Sequence, residues 1–111
     1  MNVHLSRKLT LEQSDTLPDG AGGFVESWIT LGSMWADIQM RTGRERHAGE
    51  AALSLVGFKI TVRGAPVGTP SRPQAGQRFR EPGRIFNIEA VSERDPNGWF
   101  LTCYAKEELV V

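Results

Sequence analysis

Cys103 and His47 are the two side chains of the sequence that would suit nucleophilic catalysis, as a thiol and the base that activates it. No motif brings them together, and Cys103 alternates with Leu101 in a run typical of a strand. This alternation predicts a buried, unreactive thiol. His4 lies near the start of the chain, and two histidines with one cysteine at these spacings match no zinc pattern. We therefore predict no catalytic residue and no metal site.

A glycine cluster, DGAGG at residues 19–23, has some likeness to a phosphate-binding loop. Such a loop needs a Lys-Ser/Thr pair and a helix after the glycines, whereas here an extended, β-rich run follows. The cluster is therefore predicted to be a hairpin turn. The one adjacent pair of carboxylates, Glu107 and Glu108, is interpreted as a solvated end of the last strand. The sequence thus predicts a protein that is not an enzyme and binds no cofactor.

The length of 111 residues is that of one domain, and we expect residues 1–111 to form one unit with loop insertions at about 41–56 and 64–77. The single cysteine excludes an intramolecular disulfide. No apolar run approaches the roughly 18–20 residues of a membrane span, and the first residues lack the apolar centre of a signal peptide. We therefore expect a soluble protein made in the cytoplasm, with no membrane partner.

The dominant periodicity is two residues, which predicts strands. Two clear runs, FKITVR and RIFNIEAV, predict the inward-facing residues Phe58, Ile60, Val62, Phe86, Ile88 and Ala90. Turn residues at 19–23 and 93–98 separate further strands, and Gly32 predicts a bulge inside a long second run. The predicted fold is all-β, a small antiparallel β-barrel or sandwich of five to six strands with a long inserted loop.

Two segments do not follow the strand pattern. Alanines in residues 43–56 favour a helix, but Gly49 interrupts them, so we predict a mobile loop with at most one helical turn. Residues 64–77 hold three prolines and three glycines and predict a long irregular connection. A connection of this length in a compact domain is usually functional or disordered, and a contact arm for a partner is one interpretation.

Thirteen basic and thirteen acidic residues cancel, which argues against binding nucleic acid by bulk charge. The charge is nevertheless uneven, since residues 1–58, 59–84 and 85–111 carry −2, +5 and −3. Blocks of alternating sign predict contacts with partners of opposite polarity.

A small barrel can also bind single-stranded nucleic acid by stacking bases on exposed aromatics beside a basic groove. The candidates for stacking are Trp28, Trp35, Trp99, Phe58 and Phe79, and those for phosphate are Arg41, Arg44 and Arg46. A second interpretation places Trp28 and Trp35 in the core or in a subunit interface, because large aromatics dominate both. The second interpretation is favoured, and the first stays open as the alternative function.

The order of short motifs is more specific than any one of them. L-x-R-x-L-x-L at residues 5–11 precedes the D-G-x-G-G turn, and Trp35-Ala36 with Ile38 follows. G-R-E, F-K-I-T-V-R, Arg84-Ile85, F-N-I-E-A-V and L-T-C-Y-A-K-E then come in order. Over about residues 5–107 this order resembles the phage head-tail joining family, the small head-closure or stopper proteins of long-tailed phages and phage-derived gene transfer particles.

The resemblance implies a virion protein made in the bacterial host cytoplasm and built into the head-tail interface. It implies a homo-oligomeric ring of six or twelve subunits between the portal adaptor and the tail terminator or other tail proteins. Packaged double-stranded DNA would lie in the lumen of the ring without tight binding. Such a ring closes the DNA channel after packaging and docks the tail. A neighbouring role as adaptor or tail terminator is possible, although adaptors are usually helical.

The resemblance, together with the charge blocks and the large aromatic residues, predicts which residues meet partners. The partner or channel loop would include Arg41, Arg44, Glu45 and Arg46. The subunit interface would draw on Trp28, Trp35, Arg63 and Arg84. In the family pattern Trp35-Ala36 matches the end of the second strand, and Arg63 matches the end of the strand that follows the loop.

Overall fold

The computed structural model describes residues 3–41 and 57–108. Within these ranges the chain forms six antiparallel strands and no helix, so no helix there is available to cross a membrane. The strands are β1 (Arg7–Pro18), β2 (Phe24–Met40), β3 (Gly57–Arg63), β4 (Arg78–Glu81), β5 (Arg84–Glu93) and β6 (Phe100–Glu108). Their order is β1-β2-β3-β6-β5-β4, and β4 pairs with β1 to close a barrel. The all-β prediction is confirmed, in its barrel form.

The barrel interior is filled by the side chains that alternate inward along the strands. Phe58 and Phe86 meet there edge to face, with ring centroids 5.3 Å apart. The fully or almost fully buried apolar residues are Leu9, Leu11, Ala36, Phe58, Ile60, Val62, Phe79, Phe86, Ile88, Leu101, Cys103 and Ala105. Five of the six inward-facing residues predicted from the two-residue period are therefore in this core.

Two β-bulges adjust this pattern. In β2 the pairing passes from Leu11↔Gly32 to Glu12↔Thr30, which leaves Leu31 as the extra residue and confirms the bulge predicted at Gly32. Gly32 has φ +150°, a conformation that only glycine adopts readily.

The second bulge corrects a prediction. In β5 the pairing passes from Ile88↔Ala105 to Ala90↔Tyr104, so Glu89 is the extra residue. Because one inserted residue reverses the alternation, Ala90 is exposed and not inward-facing as predicted. Val91 packs against the core instead.

One end of the barrel, which we call the basal end, is closed by ion pairs. The register continues the inward-facing positions of β1, β4, β5 and β6 to Arg7, Glu81, Arg84 and Glu107. Arg84 donates hydrogen bonds from Nε and Nη2 to Glu107 at 2.8 and 3.0 Å, and its Nη1 lies 3.7 Å from Glu81. Arg7 pairs with the same Glu81 carboxylate. The four alternating charges form a polar lid over the core.

The opposite end is closed by the second half of the connection at 64–77, which is irregular as predicted. Pro73 is fully buried and Gln77 almost so. The Gln77 side chain donates to Gln13 Oε1 at 2.9 Å, and its carbonyl accepts from the Ile88 amide at 2.9 Å. These contacts fix this half of the connection on the barrel, whereas Val67 near its start is exposed.

Beyond this end, β1 and β2 continue as a two-stranded projection. β1 pairs with β4 only at residues 10–12, and β2 pairs with β3 only at residues 36–40. Residues 13–30 therefore form a hairpin with no third strand beside it, which we call the ribbon. At its tip Asp19 Oδ1 accepts hydrogen bonds from the amides of Ala21 and Gly23, so the predicted turn is confirmed.

Candidate functional site

The ribbon exposes large apolar side chains on both of its faces. Leu17 is paired with Val25, and Ile29 follows on the same face, each of them about half exposed. Phe24, at the start of β2, is 71% exposed on the opposite face. An isolated two-stranded hairpin is only marginally stable in water, and open strand edges favour pairing with other chains. The ribbon therefore has the properties of a surface that is covered in an assembly.

Periodicity alone did not identify these ribbon residues, because each is an ordinary apolar strand position. The lengths of neighbouring strands do indicate them. β2 has 17 residues, whereas its neighbour β3 has 7, so most of β2 must lack a partner on that side. A long extended run beside short ones is thus a sequence-level sign of a projecting hairpin.

Trp28 lies at the root of the ribbon, on the outer face of the barrel. The guanidinium carbon of Arg78 is 3.9 Å from the centroid of its ring, which is a close cation–π contact. Arg78 and Arg80 both donate to the carboxylate of Glu12, at 2.7 and 3.0 Å. Trp28 is partly buried by this cluster and is not a core residue.

Trp35 is also outside the core, with 54% of its surface exposed. It does not end the second strand as expected, because β2 continues to Met40. Lys8 pairs with it in the register, and Arg63, which ends β3 as expected, lies on the strand beside it. A cavity of about 270 Å³ opens there, lined by Leu5, Ser33, Met34, Trp35, Arg63, Gly64, Ala65 and Ser71. We call this the Trp35 cavity. It combines an aromatic wall with basic groups.

The remaining interface candidate, Arg84, lies in the lid of the basal end. Its hydrogen bonds to Glu107 raise the pKa of Arg84, and they lower the pKa of Glu107 below its usual range. The guanidinium also lies 4.8 Å from the centroid of Phe86. Arg84 therefore uses its charge within the chain, where it joins the ends of β5 and β6.

The predicted partner loop leaves the barrel at this same basal end. Arg41 follows β2, its amide donates to Gly57 O at 2.9 Å, and its guanidinium lies 5.5 Å from the ring centroid of Tyr104. The hydrogen bond joins the two ends of the loop, and the contact with Tyr104 places Arg41 against β6. The other residues predicted there, Arg44, Glu45 and Arg46, lie outside the described residues, as does the helical turn considered for 43–56.

Cys103 is buried inside the barrel, as predicted. Burial raises the pKa of its thiol to about 12, against a smaller opposing effect of Arg72. A protonated, enclosed thiol is a poor nucleophile. His47 lies outside the described residues. Within residues 3–41 and 57–108 no group of three His, Cys, Asp or Glu side chains is placed to hold a metal ion.

The burial of Cys103 predicts its reactivity. At pH 8 we expect the folded protein to react with a thiol reagent at least tenfold more slowly than the same protein in denaturant, because thiolate is scarce and access is blocked. The measurement is the absorbance change on labelling with a disulfide reagent across a urea series. Fast labelling of the folded protein would contradict the buried position.

Among the described residues, the groups considered for single-stranded nucleic acid do not form one surface. Phe58 and Phe79 are inside the barrel, so the suggestion that they stack on bases is wrong. Trp99 is 68% exposed but lies in the turn before β6. The basic block at 59–84 is also partly neutralised in space, because three of its six basic residues are arginines paired with Glu12, Glu81 and Glu107.

Comparison with known proteins identifies the family of this chain. A family model described as phage head completion protein matches residues 2–108. The chain belongs to this family. A chain from a structure of the virion of a native gene transfer agent particle is 44% identical to it, with a TM-score of 0.78, covering 100% of this chain and 99% of that one. Comparison with curated proteins gives no match.

A second solved structure shares the fold alone. It is the solution structure of protein SF1141 from Shigella flexneri 2a, with a TM-score of 0.65 and 23% identity, covering 96% of each chain. Membership of the head completion family makes this chain a structural component of a phage-type virion. The family resemblance inferred from the order of motifs is therefore confirmed. As a virion component, the protein associates with other proteins of the particle.

Proposed function

We propose that the chain acts as a single domain that assembles into a ring at the head-tail interface, closes the DNA channel after packaging and docks the tail. The observation that supports this most is the similarity to a gene transfer agent virion chain, at 44% identity over the whole length. The family model, which covers residues 2–108, supports the same role in head completion. The proposal includes no catalysis.

The distribution of surfaces agrees with a ring. A ring needs heterologous contacts, in which one surface of a subunit meets a different surface of the next. The barrel offers two dissimilar surfaces, the apolar ribbon with Phe24 and the basic wall with Trp35 and Arg63. We propose that Trp28 and Arg84 act indirectly, by fixing the root of the ribbon and the basal end.

The charges agree with a conduit for DNA. Each phosphate contact by Lys or Arg adds salt-dependent affinity that would slow the passage of the duplex. The protein has no net charge, and Arg78, Arg80 and Arg84 are bonded to carboxylates. We propose that double-stranded DNA passes through or rests in the lumen without tight binding.

Two further partners follow from the proposal. The portal adaptor would lie on one side of the ring and the tail terminator or another tail protein on the other. The loop at 41–56, with Arg44, Glu45 and Arg46, is proposed to reach the channel or the neighbouring ring. Arg41 and Gly57 fix the root of this loop at the basal end of the barrel.

The proposal is tested with tail-less, DNA-filled heads from a particle that lacks this protein. We expect the purified protein to bind the portal vertex, to reduce DNA leakage and to restore tail attachment. Leakage is measured by the accessibility of the DNA to nuclease, and attachment by electron microscopy. Heads incubated with a heat-unfolded sample are the control. Intact protein that leaves vertex occupancy and leakage unchanged would refute the proposal.

A further inference from the structure

The ribbon and the Trp35 cavity are complementary in both charge and polarity. The ribbon, residues 13–30, contains three carboxylates, Asp15, Asp19 and Glu26, and no lysine or arginine. None of the residues that line the Trp35 cavity is acidic, and Arg63 is one of them. Lys8 is paired with Trp35 in the register and adds a second positive charge. The acidic, apolar ribbon is thus complementary to the basic, aromatic Trp35 cavity.

Arg72 is a further basic residue next to the Trp35 cavity. Arg72 Nη1 donates a hydrogen bond to the carbonyl of Ala65 at 3.0 Å, and Ala65 is part of the lining. The nearest carboxylate on the same face of β2 is that of Asp37, two residues from Trp35, which accepts a hydrogen bond from Gln39. The net charge around the Trp35 cavity is therefore positive, because Arg63, Lys8 and Arg72 outnumber Asp37.

The size of the cavity suits a single large side chain. Its volume of about 270 Å³ is at the lower limit of the roughly 300–1,000 Å³ that is usual for ligand pockets. Phe24 is the most exposed large side chain of the ribbon and lies beside its tip. A depression of this size accommodates one large apolar side chain against the ring of Trp35, a typical anchor of a protein interface.

The ribbon of a chain cannot reach its own cavity. Phe24 is about ten residues before Met34 on the same strand, and an extended strand of that length spans about 33 Å. Phe24 is the first residue of β2, whereas the Trp35 cavity lies beside the second half of the same strand. A contact between a ribbon and a Trp35 cavity would therefore join two copies of the chain.

We infer that the ribbon of each subunit docks in the Trp35 cavity of its neighbour, with Phe24 against Trp35 and Glu26 facing Arg63. The occupant of the cavity is a second copy of this chain. Such a contact is heterologous, so it repeats from subunit to subunit and closes into a ring when the rotation permits. The inference rests on the proposed ring and supplies its interface.

Cysteine cross-linking tests which surfaces meet. Thr16→Cys places a thiol opposite Glu26 in the register, on the ribbon face that bears Phe24, and leaves Phe24 intact, and Ser71→Cys places one at the exposed rim of the cavity. The native thiol, Cys103, is buried and does not interfere. Both variants are oxidised mildly, in concentrated solution and on heads. We expect a linked heterodimer when they are mixed, at least tenfold more abundant than homodimer from either variant alone. Glu89→Cys, on the outer side of β5, replaces Ser71→Cys as the control and should not link.

Charge reversal tests the same contact without cross-links. Glu26→Arg and Arg63→Glu each place like charges opposite one another, and each should reduce ring occupancy of heads about tenfold or more. The double variant carries the reversed pair on both surfaces, so it should recover assembly. Recovery distinguishes a direct contact from a general change in net charge, because the double variant has the net charge of the wild type.

The outcomes separate this inference from the proposed function. Wild-type protein that closes heads, while the mixed cysteine variants do not link in either setting, would overturn the interface and leave the proposed function intact. Homodimers of Thr16→Cys would also overturn it, since they indicate a symmetric ribbon–ribbon contact. A linked heterodimer in solution, together with no binding to heads, would support the interface and refute the head-closure role.

Discussion

Truncation of Phe86 to alanine is expected to lower the free energy of unfolding by about 3–5 kcal/mol, the usual cost of removing a buried phenylalanine. Phe86 is fully buried, meets Phe58 edge to face and lies under the guanidinium of Arg84. Small domains are stable by only about 5–15 kcal/mol, so the variant should be close to unfolding at 37 °C. Urea unfolding followed by tryptophan fluorescence measures the loss.

The sequence offers a matched control in Phe24→Ala. Phe24 is 71% exposed on the ribbon, so the same truncation should change the free energy of unfolding by less than about 0.5 kcal/mol. It should nevertheless weaken binding to heads, because it removes the proposed anchor. Equal destabilisation by the two substitutions would show that the ribbon is packed within the monomer and would remove the basis for a docking surface.

The contrast between Phe86 and Phe24 shows which buried positions a two-residue period in the sequence can predict. A period of two identified the strand that bears Phe58, Ile60 and Val62, because inward and outward positions differ in polarity. It assigned Ala90 to the wrong face, because a bulge at Glu89 has no strong residue signature. Phe24 begins a run that has no third strand beside it, and the absence of a neighbour is a property of the whole topology.

Charge blocks along the sequence were only a partial guide to the charge of the surface. The excess of positive charge at 59–84 suggested a basic patch, yet Arg78 and Arg80 share the carboxylate of Glu12 from a distant strand. Arg84 is likewise paired with Glu107. Strand closure brings together residues more than 60 positions apart, and counting charge by segment cannot represent that pairing. The order of motifs, which samples the whole chain, identified the family correctly.

Barrel closure depends on the short pairing between β1 and β4, and Glu12 stabilises this seam. Glu12 is 3% exposed, and its carboxylate is the shared acceptor of Arg78 and Arg80. Removing one partner of a buried charged pair costs about 3–5 kcal/mol, because the remaining charge is left uncompensated. The Arg80 side chain is half exposed and can turn to water, whereas Arg78 is held beside Trp28.

Glu12→Ala should therefore lower the free energy of unfolding by about 3 kcal/mol and loosen the root of the ribbon. The exposed pair Glu89–Lys106, 3.6 Å apart, provides the control, and Glu89→Ala should cost no more than about 0.5 kcal/mol. Urea unfolding measures both losses, and amide hydrogen exchange should accelerate across residues 13–18 and 24–30 in Glu12→Ala alone. If the two variants lose equal stability with unchanged exchange, the seam does not depend on Glu12, and the ribbon is held by backbone pairing. The expected difference would instead mean that one buried carboxylate both closes the barrel and fixes the direction in which its docking ribbon projects.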